Sequence, residues 1–154
     1  MFLDRRQIEL IKNAIEDYNF IKEEIENKIK KGYNLEEISV FLNRFKDIEI
    51  TSLDSINGDS WLDFLYKDIS TCVCSTKEKG IYVGSTFEIY DKKNYEYIVE
   101  DLLTVKDYEN LMNTPKEEMI ADAVHNLKYY ESHKYTDLYN KQRDRLINFL
   151  KEEY

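Results

Sequence analysis

Apolar residues recur at every third or fourth position over the first thirty residues. Ile8, Ile11, Ile15, Tyr18, Ile21, Ile25 and Ile29 form one continuous helical stripe. Asp4 with Gln7 three residues on reads as a capping box at its start. Lys28, Lys30 and Lys31 stand in the last turn, where the helix dipole favours cations, and Gly32 follows as the residue past the cap. Such a helix is about 40 Å long. Its stripe could serve as a coiled-coil seam or pack on its own chain, and the stop at Gly32 favours the second. A second helix follows at once, with Asn34 as N-cap, Glu37 at its third position and Leu35, Ile38, Phe41, Leu42 and Phe45 as its apolar face. The pair predicts a helical hairpin.

The middle of the chain changes period. Ile48 and Ile50 alternate within residues 47–53, a short strand or an extended link, and Asn57-Gly58 marks a turn. Ser60 with Asp63 reads as another cap, opening a short helix that carries Trp61, Leu62, Phe64 and Leu65. From Ile69 the alternation is strict. Strands over 69–75, 81–90 and 95–99, with turns at 77–80 and 91–94, predict a three-stranded antiparallel meander. Ile81, Val83, Phe87 and Ile89 fall on its covered face, and Tyr82, Thr86, Glu88 and Tyr90 on the other.

Two more caps introduce the C-terminal helices. Thr104 with Asp107 starts a short one, and Thr114-Pro115 with Glu117 sets N-cap, first-turn proline and capping acid in order. Met119, Ile120, Ala123, Val124, Leu127 and Tyr130 give that helix its face. A break over residues 132–136 separates a last helix bearing Leu138, Tyr139, Leu146, Phe149 and Leu150. The expectation is an α+β fold in a single domain, residues 1–154: a helical hairpin over 1–46, mostly β over 47–103, helical over 104–154.

Composition agrees. The 154 residues are 42% hydrophobic and 34% charged, a globular balance with no need of disulfide or metal. Four glycines and one proline argue for long regular elements with tight connections. Cys72 and Cys74, two apart on one strand, cannot bridge without strain and make no secreted framework, so a reducing compartment is expected. The N-terminal segment has no apolar signal core, and no run approaches the ~18 apolar residues of a membrane span. A cytoplasmic location is the expectation. The 13 tyrosines, with abundant Ile, Lys and Asn, have a plain explanation in A/T-rich codons, so only their placement carries weight.

The net charge of −9 repels phosphate backbones and argues against direct nucleic-acid binding. Moderate acidity also serves solubility alone. Its densest stretch is residues 47–68, where Asp47, Glu49, Asp54, Asp59, Asp63 and Asp68 face a single Lys67.

Portable chemistry is missing. The chain has no GxxxxGK[ST], GxGxxG, HExxH or GxSxG, and its glycines, at 32, 58, 80 and 84, make no phosphate cradle. Residues 54–63 fail as a calcium loop, because with Gly58 at the sixth position the first and third ligands would be Leu53 and Ser55. Cys72 and Cys74 lack the two-residue spacer of a zinc knuckle and read as two small buried residues on one sheet face. Asp122 and His125, with Glu118 one turn earlier, share a helix face that could take a metal. The motif occurs once where di-metal bundles use it twice, so a solvated face is the plainer reading. No catalytic residue, metal ligand or cofactor is assigned.

Two surfaces remain. Asp54, Asp59, Asp63 and Asp68 surround Trp61 in sequence, and a tyrosine series (Tyr129, Tyr130, Tyr135, Tyr139) is interleaved with Lys128, Glu131, His133 and Lys134. Acids around a large ring suit a basic partner, since Trp and Tyr bury much area with few rotors. The competing reading places Trp61, Tyr130 and Tyr139 in the core. In size and charge the chain is similar to bacterial toxin-immunity proteins and phage inhibitors of host defence nucleases, a likeness of bulk properties without a shared motif. The expected function is a non-enzymatic inhibitor of a basic, nucleic-acid-handling protein, using Asp54, Asp59, Trp61, Asp63, Asp68, Tyr129 and Tyr135, with no membrane partner. The alternatives are a small carboxylate-dependent hydrolase, with Asp59, Asp63, Glu118 and Asp122 as its acids, and a regulatory or assembly subunit using the first helix. Oligomeric state is open.

Overall fold

The computed structural model describes residues 3–153 and shows an α+β fold of five helices and six strands. Met1 and Phe2, the start of the segment read above for a signal core, lie outside the described residues. In chain order come α1 (Arg5–Lys30), α2 (Leu35–Leu42), β1 (Ile48–Ile56), β2 (Asp59–Tyr66), β3 (Ile69–Thr76), β4 (Gly80–Val83), β5 (Glu88–Asp91), β6 (Glu96–Tyr97), α3 (Val105–Met112), α4 (Lys116–Ser132) and α5 (Thr136–Glu153). Contacts group them into two compact units. One is Leu10–Tyr108; the other combines the chain up to Glu9 with the chain from Glu109.

Three of the expected capping boxes, and the glycine stop after α1, form as the sequence predicts. Asp4 and Gln7 exchange backbone and side-chain hydrogen bonds at 3.2 and 2.7 Å, and Asn34 and Glu37 do so at 3.2 and 2.8 Å. Thr104 and Asp107 repeat the pattern at 3.1 and 3.2 Å. After α1 the chain turns in a Schellman motif: Tyr33 N–H donates to Lys28 carbonyl and Gly32 N–H to Ile29 carbonyl, with Gly32 at φ +89°.

In the unit Leu10–Tyr108 the sheet runs β1-β2-β3-β5-β6, with β4 also paired to β3, and every pairing is antiparallel. The α1 stripe is buried at Ile11, Ala14, Tyr18, Ile21 and Ile25, and α2 buries Leu35, Ile38 and Leu42. Leu62, Phe64, Tyr66, Ile69, Val73, Phe87 and Ile89 are buried in the same unit, where α2 contacts β1, β2 and β3 and α1 sets Phe20 against Tyr66. The Tyr18 ring stacks on Phe87 at 4.3 Å, and Phe87 lies 4.8 Å from Tyr108. The first helix therefore packs on its own chain.

Three readings are corrected. Residues 60–65 form no helix; they are the centre of β2. Ser60 and Asp63 imitate a cap, but Leu62, Phe64 and Tyr66 alternate inward and bury together. The two polar side chains bond across strands instead, Ser60 Oγ with Ser55 Oγ and Ser52 Oγ to Asp63 Oδ2, each at 2.7 Å. With β1 and β2 added, and the expected strand over 81–90 divided into β4 and β5, the sheet has six strands in place of three. Thr114 is not an N-cap: α4 starts one residue later, after Pro115, and the Thr114 hydroxyl donates back to the Asn110 carbonyl at 3.1 Å.

The expected strand over 81–90 is interrupted. Val83 faces Val73 and Ile89 faces Ile69, so β4 and β5 share one edge of β3 with a break over residues 84–87. Carbonyls freed at the break find hydroxyl donors: Tyr18 to Gly84 at 2.6 Å, Thr71 to Thr86 at 3.0 Å and Tyr108 to Phe87 at 2.7 Å. The last strand is shorter than expected, with Ile98 buried just beyond it.

In the other unit α4 and α5 pack around Met119, Ala123, Leu146 and Phe149, with Ile120, Leu127 and Leu150 against them. The break after Ser132 falls where the sequence places it.

Candidate functional face of the sheet

Alternation along β2 and β3 gives the sheet two chemically unlike sides. One is the buried side just described. The other is accessible, and register arranges its residues in rows across strands. Asp54 faces Trp61, Trp61 faces Cys74 and Cys74 faces Tyr82. The next row is Ser52, Asp63 and Cys72. A third is Glu49, Leu65, Ser70 and Glu88. None of these side chains is fully buried.

The charge on this side is one-signed. None of the six strands contains a lysine or an arginine, while Glu49, Asp54, Asp59, Asp63 and Glu88 all stand on the accessible side. Cations gather at the ends of the strands. Lys67 pairs with Asp17 and Lys92 with Asp68, both at 3.4 Å, and Lys79 lies 5.8 Å above the Tyr82 ring. The Asp17 carboxylate beside Lys67 holds that ammonium's pKa above its ordinary value.

The Cys72 thiol adds no charge at neutral pH. Cys72 and Cys74 are free and only half-buried, not buried as the sequence suggests, with sulfurs 3.7 Å apart. Burial, then Cys74 and Asp63, push the Cys72 thiol up to about 12. The Tyr82 phenol is likewise raised, chiefly by Cys74. A thiol held protonated is a poor nucleophile. The carboxylates alone set the sign of the field.

The structure brings Asp54, Asp59, Trp61 and Asp63 together on this side. Asp59 accepts the Lys77 N–H at 3.2 Å. Asp68 is not with them: it lies past the other end of β2, more than about 20 Å along the strand from Asp59 at ~3.3 Å per residue. Asp59 and Asp63 are four positions apart, about 13 Å, with Trp61 between them, so they address no common point. Glu118 and Asp122 are exposed on α4, in the other unit. Among the described residues no three His, Cys, Asp or Glu side chains are grouped to hold a metal ion. No helix among them is long and apolar enough to cross a membrane.

The tyrosine series divides. Tyr129 and Tyr135 are 48% and 47% exposed, while Tyr130 and Tyr139 are half-buried. At the turn between α4 and α5, His133 stacks on Tyr129 at 4.0 Å and lies 5.8 Å from Tyr135, its Nδ1 within 2.9 Å of the Tyr129 carbonyl. This three-ring corner is a second accessible aromatic surface.

Sequence reading set Glu49 in the acidic stretch 47–68 and Tyr82 and Glu88 on the outward side of the meander, but did not join them to Trp61 on one face. The signal that joins them is the period of two through residues 59–66, which the imitation cap concealed. Comparison with protein-family models, curated proteins and solved structures finds no match to this chain.

Proposed function

We propose that this chain is a non-enzymatic acidic binding protein that seats a basic, nucleic-acid-handling partner on the accessible face of its sheet and so blocks that partner's nucleic-acid site. One observation carries the reading: Trp61 stands beside Asp54, Asp59 and Asp63, with Glu49 and Glu88 farther along the same side of the sheet and no strand cation to cancel them. Carboxylates fixed on a rigid sheet present negative charge as a phosphate backbone does, and Trp61 supplies the apolar contact that affinity needs. Toxin-immunity and phage counter-defence roles are the settings such an inhibitor suits. Tyr129 and Tyr135 are candidates for a second contact.

The test is affinity capture with the parent chain and an Asp54→Lys/Asp63→Lys variant side by side. A partner retained only by the parent, and released by duplex DNA, supports the reading. A partner held equally by both, or one whose contact surface is acidic, sinks it.

A further inference from the structure

The acidic face ends at β1, the outermost strand, and among the described residues no strand pairs its other edge. Natural sheets blunt such an edge with lysine, proline or cover. β1 has neither lysine nor proline, and residues 53–56 are all exposed, Leu53 at 45% and Ile56 at 60%. Its single irregularity is the bulge between Ile50 and Ser52, which leaves residues 52–56 in regular register with β2.

The two-residue Asn57-Gly58 turn fixes what that edge presents. In such a hairpin the flanking pair, here Ile56 and Asp59, exchanges both backbone hydrogen bonds. Alternation then directs the N–H and C=O groups of Ser55 and Leu53 away from β2. Their side chains lie on the opposite side of the sheet from Asp54. There, with Asn34, Leu35, Glu36, Ser60 and Ser75, they line a largely polar concavity of about 320 Å³ at the start of α2.

We propose that a strand of the basic partner adds to the free edge of β1, hydrogen-bonding to Leu53 and Ser55. This rests on the reading that the partner is a basic protein, and it specifies how that partner is held. Side chains of the incoming strand alternate. Those on the accessible side meet Asp54 and Glu49 and are lysine or arginine. Those on the other side lie over Leu53 and the mouth of the concavity and are small. Main-chain bonds give affinity and the alternating pockets give specificity. A second copy of this chain suits the edge poorly, since its own β1 brings acids and no cation.

The probe is a six-residue amide of alternating lysine and valine. Its binding is followed by Trp61 fluorescence and by hydrogen exchange at the Leu53 and Ser55 amides. Binding should slow exchange at both amides. Leu53→Pro, which removes an outward N–H and no bond to β2, should weaken binding about tenfold with circular dichroism unchanged. Exchange needs no variant, so a misfolded proline variant leaves the test intact. If the peptide binds without slowing these amides, or fails to bind, the added strand is overturned. If Leu53→Pro folds and binds undiminished while Asp54→Lys/Asp63→Lys does not bind, the strand is overturned and the acidic-face reading stands. A dimeric mass for the chain alone, lost in Leu53→Pro, overturns it in favour of a second copy.

Discussion

The Tyr108 hydroxyl donates to the Phe87 carbonyl at 2.7 Å while the two rings lie 4.8 Å apart, so one side chain supplies both a packing neighbour and a hydrogen-bond donor at the broken strand. Both residues are fully buried. Removing the hydroxyl with Tyr108→Phe should therefore cost about 1–2 kcal/mol, the loss of one buried hydrogen bond. Phe87→Ala also empties the space between Tyr18 and Tyr108 and should cost about 3–5 kcal/mol. Urea unfolding midpoints at constant slope check both. Equal costs would mean that the ring stack contributes nothing.

Gly84 is held by close approach. A Cβ there would lie 2.9 Å from Cys72 Sγ and 3.3 Å from its carbonyl oxygen. Gly84→Ala should destabilise by about 1–3 kcal/mol through overpacking. Cys72→Ala removes the nearer obstacle, so the double variant should recover part of that loss, a coupling of about 0.5–1.5 kcal/mol in a double-mutant cycle. Additive costs would place the strain elsewhere.

Alkaline pH should unfold the protein by a route that begins at Cys72. Its folded pKa, about 12, lies above the ordinary value of 9.0, so the folded chain holds that proton more tightly than the unfolded one. The stabilisation is complete below pH 9 and is lost as pH rises toward 12. Tyr18 and Tyr108, both raised above 10.0 by burial, act in the same sense at higher pH. The thermal midpoint should fall as pH rises above 9, and Cys72→Ser should postpone the decline to where the tyrosines ionise. A midpoint flat to pH 11 contradicts the assignment.

Trp61 and Phe64 sit three apart on β2 and face opposite sides of the sheet. Trp61→Ala should change stability by less than about 1 kcal/mol, whereas Phe64→Ala should cost about 3–5 kcal/mol. Trp61 is the sole tryptophan, so acrylamide quenching reports its accessibility directly. Quenching as weak as for a core indole would remove the anchor from the acidic face.

Much of the architecture was readable because it is encoded locally. Asp4/Gln7, Asn34/Glu37 and Thr104/Asp107 each need only a three-residue spacing, and all three close as boxes. The same local rule misleads at Ser60 and Asp63, where the partners are Ser55 and Ser52 across a strand pair. Spacing along the chain does not register such partners. The acidic face was half legible for the same reason. Asp54, Asp59 and Asp63 cluster in sequence around Trp61, but the rows that set Tyr82 beside Cys74 and Glu88 beside Ser70 on the same side depend on ladder register. Asp68, near in sequence, lies at the far end of β2. For the tyrosines, helical spacing suggested Tyr130 and Tyr139 as the inward pair without deciding it, and packing of α4 and α5 leaves Tyr129 and Tyr135 exposed and Tyr130 and Tyr139 half-buried.

Greasy surfaces tolerate slippage: a helix displaced lengthwise by a turn, about 5.4 Å, still finds hydrocarbon to touch. The bond from Tyr18 to Gly84 removes that latitude, because it is directional and its acceptor sits at one place in the sheet. Sliding α1 in either direction would strand the carbonyl without a donor. The hydroxyl thus works as a dowel, and isoleucines along the same helix are free to drift to valine or leucine without the alignment being lost.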